Sequence, residues 1–186
     1  YPDYHNRPVA PFGDRKARFL VVGLAPGMHG ANRSGRPFTG DHAGILLYRM
    51  LHDFGFSNGP ESVSRDDTLR LRNCRITNAV KCLPPDNKPI GAEINACNHF
   101  LRNELLGLPR ESVVLALGGI AHKAIIRALQ LRQVEFKFGH GELHEVGNGI
   151  RLLDSYHCSR YNTNTGRLTE DMFREIFGKA KSLLDA

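Results

Sequence analysis

The sequence has no apolar run approaching the ~20 residues that a membrane helix needs. No basic n-region followed by an apolar h-region opens it either, so a cytoplasmic protein is expected. Cysteine is scarce: Cys74, Cys82, Cys97 and Cys158 include no C-x-x-C pair, and a chain of this size needs no disulfide framework to fold. Neither G-x-x-x-x-G-K-[ST] nor G-x-G-x-x-G occurs. The two common phosphate cradles, and nucleotide hydrolysis with them, are thereby set aside. The absence of H-E-x-x-H and of H-x-E followed by C-x-x-C removes zincin and zinc-deaminase chemistry. No internal repeat, low-complexity tract or linker divides the chain.

What remains is ordinary globular material. The 186 residues are 41% hydrophobic and 24% charged, enough for a single domain spanning residues 1–186 with a full core. The formal net charge is +6, and arginines recur in loop-like stretches at Arg33, Arg36, Arg160 and Arg167. A polyanionic partner follows, nucleic acid first; charge alone is equally compatible with a merely basic protein.

Four β-rich runs, Arg18–Val22, Cys74–Val80, Ser112–Leu117 and Arg151–Tyr156, alternate with helical patterns near Ala43–Phe54, Gly91–Leu106 and Gly119–Gln130. A closing helix near Thr169–Leu184 begins on Thr169 as N-cap. Intervals long enough for crossovers and the unbroken apolar run Val113–Leu117 predict an α/β fold of three layers, α/β/α, around a central four-stranded parallel sheet. Phe138–Gly141 reads as punctuation of a hairpin-like insertion before the fourth strand.

The stretch Gly23–Asp41 follows the first strand and holds five glycines, two prolines, Arg33, Arg36, His29 and Phe38. It is too polar for core and much longer than the usual connection of about 4–6 residues. Asn78 near the end of strand two, Gly118-Gly119 after strand three and His157 after strand four converge with it on one sheet edge. In open α/β sheets that is where ligands bind.

His157 lies among hydroxyls, amides and arginine in Ser155–Arg167, a composition suited to phosphate contacts. Its imidazole could donate to a leaving oxygen at neutral pH, or simply pin the loop. Cys158 beside it is badly placed for mutual activation, because adjacent residues on extended backbone point opposite ways. His140 and His144 are flanked by glycines that disfavour a helix, and they read as structural. Asp41 reads as the N-cap of the helix that follows.

Together, Gly23–Asp41, Ile76–Pro89, Ala116–Ala121, Phe138–Gly141 and Ser155–Thr169 resemble, in order, the motifs of type-5 uracil-DNA glycosylases. These form part of the iron–sulfur branch of the uracil-DNA glycosylase superfamily. Related type-4 enzymes carry an acidic residue where this chain has Ala25. The resemblance implies removal of uracil, and of hypoxanthine, from double-stranded DNA containing deaminated bases. This would be base-excision repair by hydrolysis of the N-glycosidic bond, in a prokaryotic, nucleoid-associated monomer. It implies that the flipped base stacks on Phe38, is read along its edge by Asn78, and is closed in by Gly23 and Ala25. His157 would face O2 of the departing base; since Ala25 cannot act as a base, Asn32 first, then His29 and Asp41, are the candidates to position water. Arg160, Tyr161, Asn162 and Arg167 would contact DNA, the tip at Arg160 and Tyr161 filling the vacated stack.

A 4Fe-4S cluster is also implied, with Cys82 and Cys97 as two ligands and two more upstream of Tyr1; Lys81 and Lys88 beside it would face the DNA backbone. Two departures stand out. The family's His-Pro-Ser is His157-Cys158-Ser159 here, which frees one φ angle, and no cysteine lies between Tyr1 and Cys74. Two alternatives follow: an inactive nucleic-acid-binding member of the same fold, and a small-nucleotide enzyme using the glycine-rich loop for phosphate.

Overall fold

The computed structural model describes all residues 1–186. Its elements are β1 (Phe12–Gly13), β2 (Phe19–Gly23), α1 (Ala31–Ser34), α2 (His42–Asp53), β3 (Cys74–Asn78), α3 (Gly91–Leu106), β4 (Val113–Leu117), α4 (Gly119–Ala128), β5 (Leu143–Glu145), β6 (Arg151–Ser155), α5 (Arg160–Asn164) and α6 (Glu170–Asp185). The sheet order is β1-β3-β2-β4-β6-β5.

The central four strands are parallel, as the alternation predicts. The sheet nonetheless has six strands and is mixed, because β1 and β5 add antiparallel edges. Strands of two and three residues are too short to register as a period-two pattern. The turn of the β5–β6 hairpin also differs from expectation. It lies at Gly147, Asn148 and Gly149, all with positive φ, and not at Phe138–Gly141.

Successive residues of the parallel strands serve opposite cores. Phe19 and Val21 of β2 pack with α2 and α6, while Leu20 and Val22 pack with α3 and α4. That is why the strand sequences are apolar without alternation. Helix α6 buries Phe173, Ile176, Phe177, Ala180 and Leu184 along one face, the spacing of an amphipathic helix. Thr169 caps it, its hydroxyl accepting from the Met172 N–H at 3.2 Å. Asp41 caps α2 in the same way, accepting from the Gly44 N–H at 2.9 Å. No helix is long and apolar enough to cross a membrane.

The chain leaves β2 for β3 on one side and returns past it to β4 on the other. Connections therefore diverge at the carboxyl end of β2, opening the crevice in which such sheets hold ligands.

Candidate active site

Four strand ends supply the site. Gly23 ends β2, Asn78 ends β3, Gly118 follows β4, and His157 lies two residues beyond β6. Gly23 has no freedom to be anything else: a Cβ there would stand 2.5 Å from both Asn78 Oδ1 and Phe38 Cζ. Its missing side chain is the space in which the amide and the ring meet.

Phe38 holds a left-handed backbone, φ 56°, a conformation costing on the order of 1–3 kcal/mol for a non-glycine residue. The surroundings enforce it. Its carbonyl lies so close to the Cα of Gly44 that a Cβ on that residue would come within 1.8 Å of the oxygen. The Tyr48 hydroxyl donates to the Pro37 carbonyl at 2.6 Å, and Thr39 Oγ1 meets Ser62 Oγ at 2.7 Å. Arg36 underlies the loop, donating to Asp67 at 2.7 Å, to Ser62 at 3.0 Å and to the Arg65 carbonyl at 2.8 Å. Arg36 is therefore buried architecture and not the phosphate-facing cation its loop position suggests.

The Phe38 and His157 rings are near-parallel, with centroids 6.0 Å apart and planes at 29°. His157 is partly exposed at its edge, yet its Nδ1 is buried with no hydrogen-bond partner. Burial alone pushes its pKa down to about 4, so the ring is neutral at physiological pH. Asn78 is also buried; its main-chain carbonyl accepts from Lys81 Nζ at 2.7 Å, and Lys81 pairs with Glu104 at 3.0 Å. Lys81 thus anchors the strand end and does not face the DNA backbone as expected.

Asn32 and His29 point elsewhere. Asn32 Nδ2 donates to Asn6 Oδ1 at 3.0 Å, and His29 Nδ1 lies 2.9 Å from the Tyr4 hydroxyl. Both tie down the N-terminal segment. Asp41 has one oxygen free of the cap: Oδ1 caps α2, while Oδ2 is turned toward Gly27 and Gly30, where a Cβ on Gly30 would meet it at 2.6 Å. Burial raises its pKa against the Gly44 N–H bond and the nearby His42. Phe38, Asp41, His42 and Arg160 share a cleft of about 550 Å³ with the loop at Glu61–Val63. Ala25 sits half-exposed at the end of β2.

The segment after His157 is helix α5, capped by Ser159 Oγ, which accepts from the Asn162 N–H at 3.2 Å. Arg160 and Tyr161 are exposed on it, Tyr161 by 71%. Asn162 Nδ2 donates to the His157 carbonyl at 2.9 Å, and the Arg167 guanidinium lies over the Tyr156 ring, 5.0 Å from its centroid. These last two brace the His157 loop. Cys158 is buried against the Ala43 carbonyl, so it fills core where a proline would otherwise stiffen the loop.

Residues 10–181 match the model of the uracil DNA glycosylase superfamily. This chain belongs to that superfamily. It is 50% identical to the type-5 uracil-DNA glycosylase of Thermus thermophilus, over 97% of this chain and 82% of that protein. It is 46% identical to the type-5 uracil-DNA glycosylase of Pyrobaculum aerophilum, over 95% and 76%. Similarity to a type-4 uracil-DNA glycosylase of Archaeoglobus fulgidus is lower, 32% over 80% and 69%. The fold is shared with the SMUG2 structure from Pedobacter heparinus, with TM-score 0.56 at 13% identity over 92% of this chain and 77% of that one. Within this superfamily member, Cys82 and Cys97 line one cleft of about 440 Å³ with residues 8–11, and burial raises the Cys82 pKa. Cys74 and Cys158 are buried elsewhere in the core.

Proposed function

We propose that this chain hydrolyses the N-glycosidic bond of uracil in double-stranded DNA, leaving an abasic site, and that it does so as a monomer. The observation that carries the reading is the meeting of Phe38 and Asn78 at Gly23, with the His157 ring near-parallel to Phe38 and its Nδ1 unpartnered, within a chain of this superfamily. Phe38 offers a stacking face worth about 1–3 kcal/mol to a flipped base. The Asn78 carboxamide, with one acceptor and two donors, suits uracil N3–H and O4. As the C1′–N1 bond breaks, its electron pair passes to the base, and a neutral His157 donates a hydrogen bond to the charge developing at O2. Water adds at C1′. Arg160 and Tyr161 enter the groove and replace the lost stacking partner. Alkali treatment of a uracil-containing duplex after incubation with the protein is the test: strand cleavage at uracil supports the reading, and an intact strand refutes it.

Positioning of the water falls to Asp41 in this reading, in preference to Asn32 or His29, of which Asn32 Nδ2 is engaged with Asn6 and His29 Nδ1 with Tyr4. Asp41→Asn preserves a cap for α2 while removing the charge. It is expected to lower single-turnover excision by on the order of 100-fold with little change in melting temperature. A rate within twofold of the parent would leave Asp41 as a cap only.

Hypoxanthine is included in the proposed substrate range. A Cβ on Gly27 would meet nothing nearer than Asp41 Oδ2 at 4.0 Å, and Ala25 sets no carboxylate beside the base, which supports a pocket that selects weakly against a purine. Poorer pairing with Asn78 would cost about 1–3 kcal/mol. Parallel single-turnover assays on U·G and I·T duplexes should show hypoxanthine removed about 5- to 150-fold more slowly than uracil; no detectable release would mean a tighter pocket.

A 4Fe-4S cluster bound by Cys82 and Cys97 fits the cleft that the two thiols share. Its other ligands would come from outside these 186 residues, because Cys74 and Cys158 are buried in the core. Its contribution would be structural, tying α3 to the segment at residues 8–11. Protein expressed from the complete reading frame and purified anaerobically is expected to absorb near ~400 nm and to carry iron. Iron-free, active protein would remove the cluster.

A further inference from the structure

Outside the base pocket, His122 of α4, His144 of β5 and Asp154 of β6 meet in the interior. Asp154 is fully buried and His122 nearly so. His122 Nδ1 lies 2.8 Å from Asp154 Oδ1, and His122 Nε2 lies 2.8 Å from the Phe136 carbonyl oxygen. His144 Nε2 lies 3.1 Å from Asp154 Oδ2, and the Gly139 N–H donates to the same oxygen at 3.3 Å. This is not a metal site as built, because His122 has no free nitrogen. Both of its nitrogens face groups that only accept: a carboxylate taking three N–H donors and a peptide carbonyl. A neutral imidazole has one N–H and one lone pair, so it would set acceptor against acceptor in one of the two short contacts. With Asp154 ionised, the geometry requires two N–H groups, an imidazolium buried against a carboxylate.

Asp154 also grips the neighbouring turn through its main chain. The Gly141 N–H donates to the Asp154 carbonyl at 2.8 Å, and the Asp154 N–H to the Glu142 carbonyl at 3.0 Å. That turn carries His140, whose Nδ1 accepts from the Tyr156 N–H at 3.0 Å and whose ring stacks on Tyr156, centroids 4.7 Å apart. Tyr156 immediately precedes His157.

We propose that the His122–Asp154 ion pair positions His157 for base excision, by fixing the 139–142 turn whose His140 holds the Tyr156–His157 segment. This rests on the reading of His157 as the group that acts on the departing base.

The pair gives the reaction a pH dependence of definite sign. Burial opposes charge on His122, but the bonds to Asp154 and the Phe136 carbonyl outweigh it and hold the pKa above its ordinary value. The groups facing His122 are Asp154 from β6 and His144 from β5, with Lys123 beside it on α4 opposing its charge. Glu175 of α6 is the charged group that acts on His140. A raised folded pKa means that the pair's contribution is complete below about pH 6.5, the unfolded value, and is lost as pH rises through the folded one. His157 titrates on the acid side and cannot produce that alkaline limb.

Ring ¹⁵N spectroscopy of the intact protein, paired with single-turnover rates across pH, tests this. The expected result is a His122 with both nitrogens protonated at pH 7.5, and an alkaline fall in rate with the same midpoint as its titration. Asp154→Asn should abolish that limb and slow excision on the order of 10- to 100-fold, with duplex affinity unchanged within threefold. His140→Ala should slow excision similarly while leaving the His122 signal in place; it keeps the proposal testable if Asp154→Asn does not fold. A neutral His122 at pH 7.5, His140→Ala rates within twofold of the parent, or equal losses in rate and affinity would overturn it. A parent protein without uracil excision would instead refute the functional reading and leave the His122 spectrum to stand or fall separately.

Discussion

Replacing His157 by alanine is expected to slow single-turnover release of uracil on the order of 100- to 1,000-fold, the effect of removing one preorganised donor from a developing anion. Duplex affinity should change by less than about threefold, because an interaction that strengthens only as charge appears on the base contributes to the transition state and hardly to binding. The structure gives the reason for expecting so uneven a split. Nδ1 of His157 has no protein partner, so the ring is not committed to holding the loop together; Asn162 and Arg167 do that. Because burial pushes the His157 pKa down to about 4, this residue should impose no rate change between pH 6 and 8. The same depressed value makes the folded protein lose stability as pH falls from about 6.5 toward 4, where the unfolded chain takes up the proton first. Equal losses of rate and affinity in His157→Ala would show a structural residue.

Gly23→Ala should be almost as damaging, although it adds a single methyl group. The new Cβ would overlap Asn78 Oδ1 and Phe38 Cζ, each at 2.5 Å. Phe38 is fixed by its left-handed backbone and by the fit of its carbonyl against Gly44; Lys81 holds the Asn78 main chain, so the amide itself has to turn away. The ring or the amide must leave the position in which it meets the base. Misplacement on this scale costs on the order of 100-fold. The duplex should still bind through exposed Arg160, so a gel shift would persist while excision fails. Excision at more than a third of the parent rate would show that the pocket relaxes.

The large features of this chain are legible because their signals are long. The four parallel strands and helices α2, α3, α4 and α6 rest on unbroken apolar runs or helical spacing, and the convergence of Gly23, Asn78, Gly118 and His157 follows from the strand order alone. The edges of the sheet escape that logic, since Phe12-Gly13 and Leu143–Glu145 are shorter than any period. Side-chain direction escapes it too. Arg36 and Lys81 have the residue types of a DNA surface, yet tertiary partners that no local pattern names, Asp67 and Glu104, turn them inward. The place of Asn32 and His29 in the glycine-rich loop points to the water, while the structure binds Asn32 Nδ2 to Asn6 and His29 Nδ1 to Tyr4. The second oxygen of Asp41, turned toward Gly30, and the double acceptor pairing of His122 have no sequence signature. Each depends on atoms brought together from separate elements.

The most direct measurement is the structure of the His157→Ala variant bound to a duplex carrying one uracil, in which slowed chemistry preserves the substrate. The account predicts the uracil rotated out of the helix and stacked on Phe38, with its N3–H and O4 paired to the Asn78 carboxamide, O2 facing the space vacated by the imidazole, and Tyr161 in the gap left in the duplex. Uracil still stacked within the helix, or bound away from Phe38 and Asn78, would contradict it.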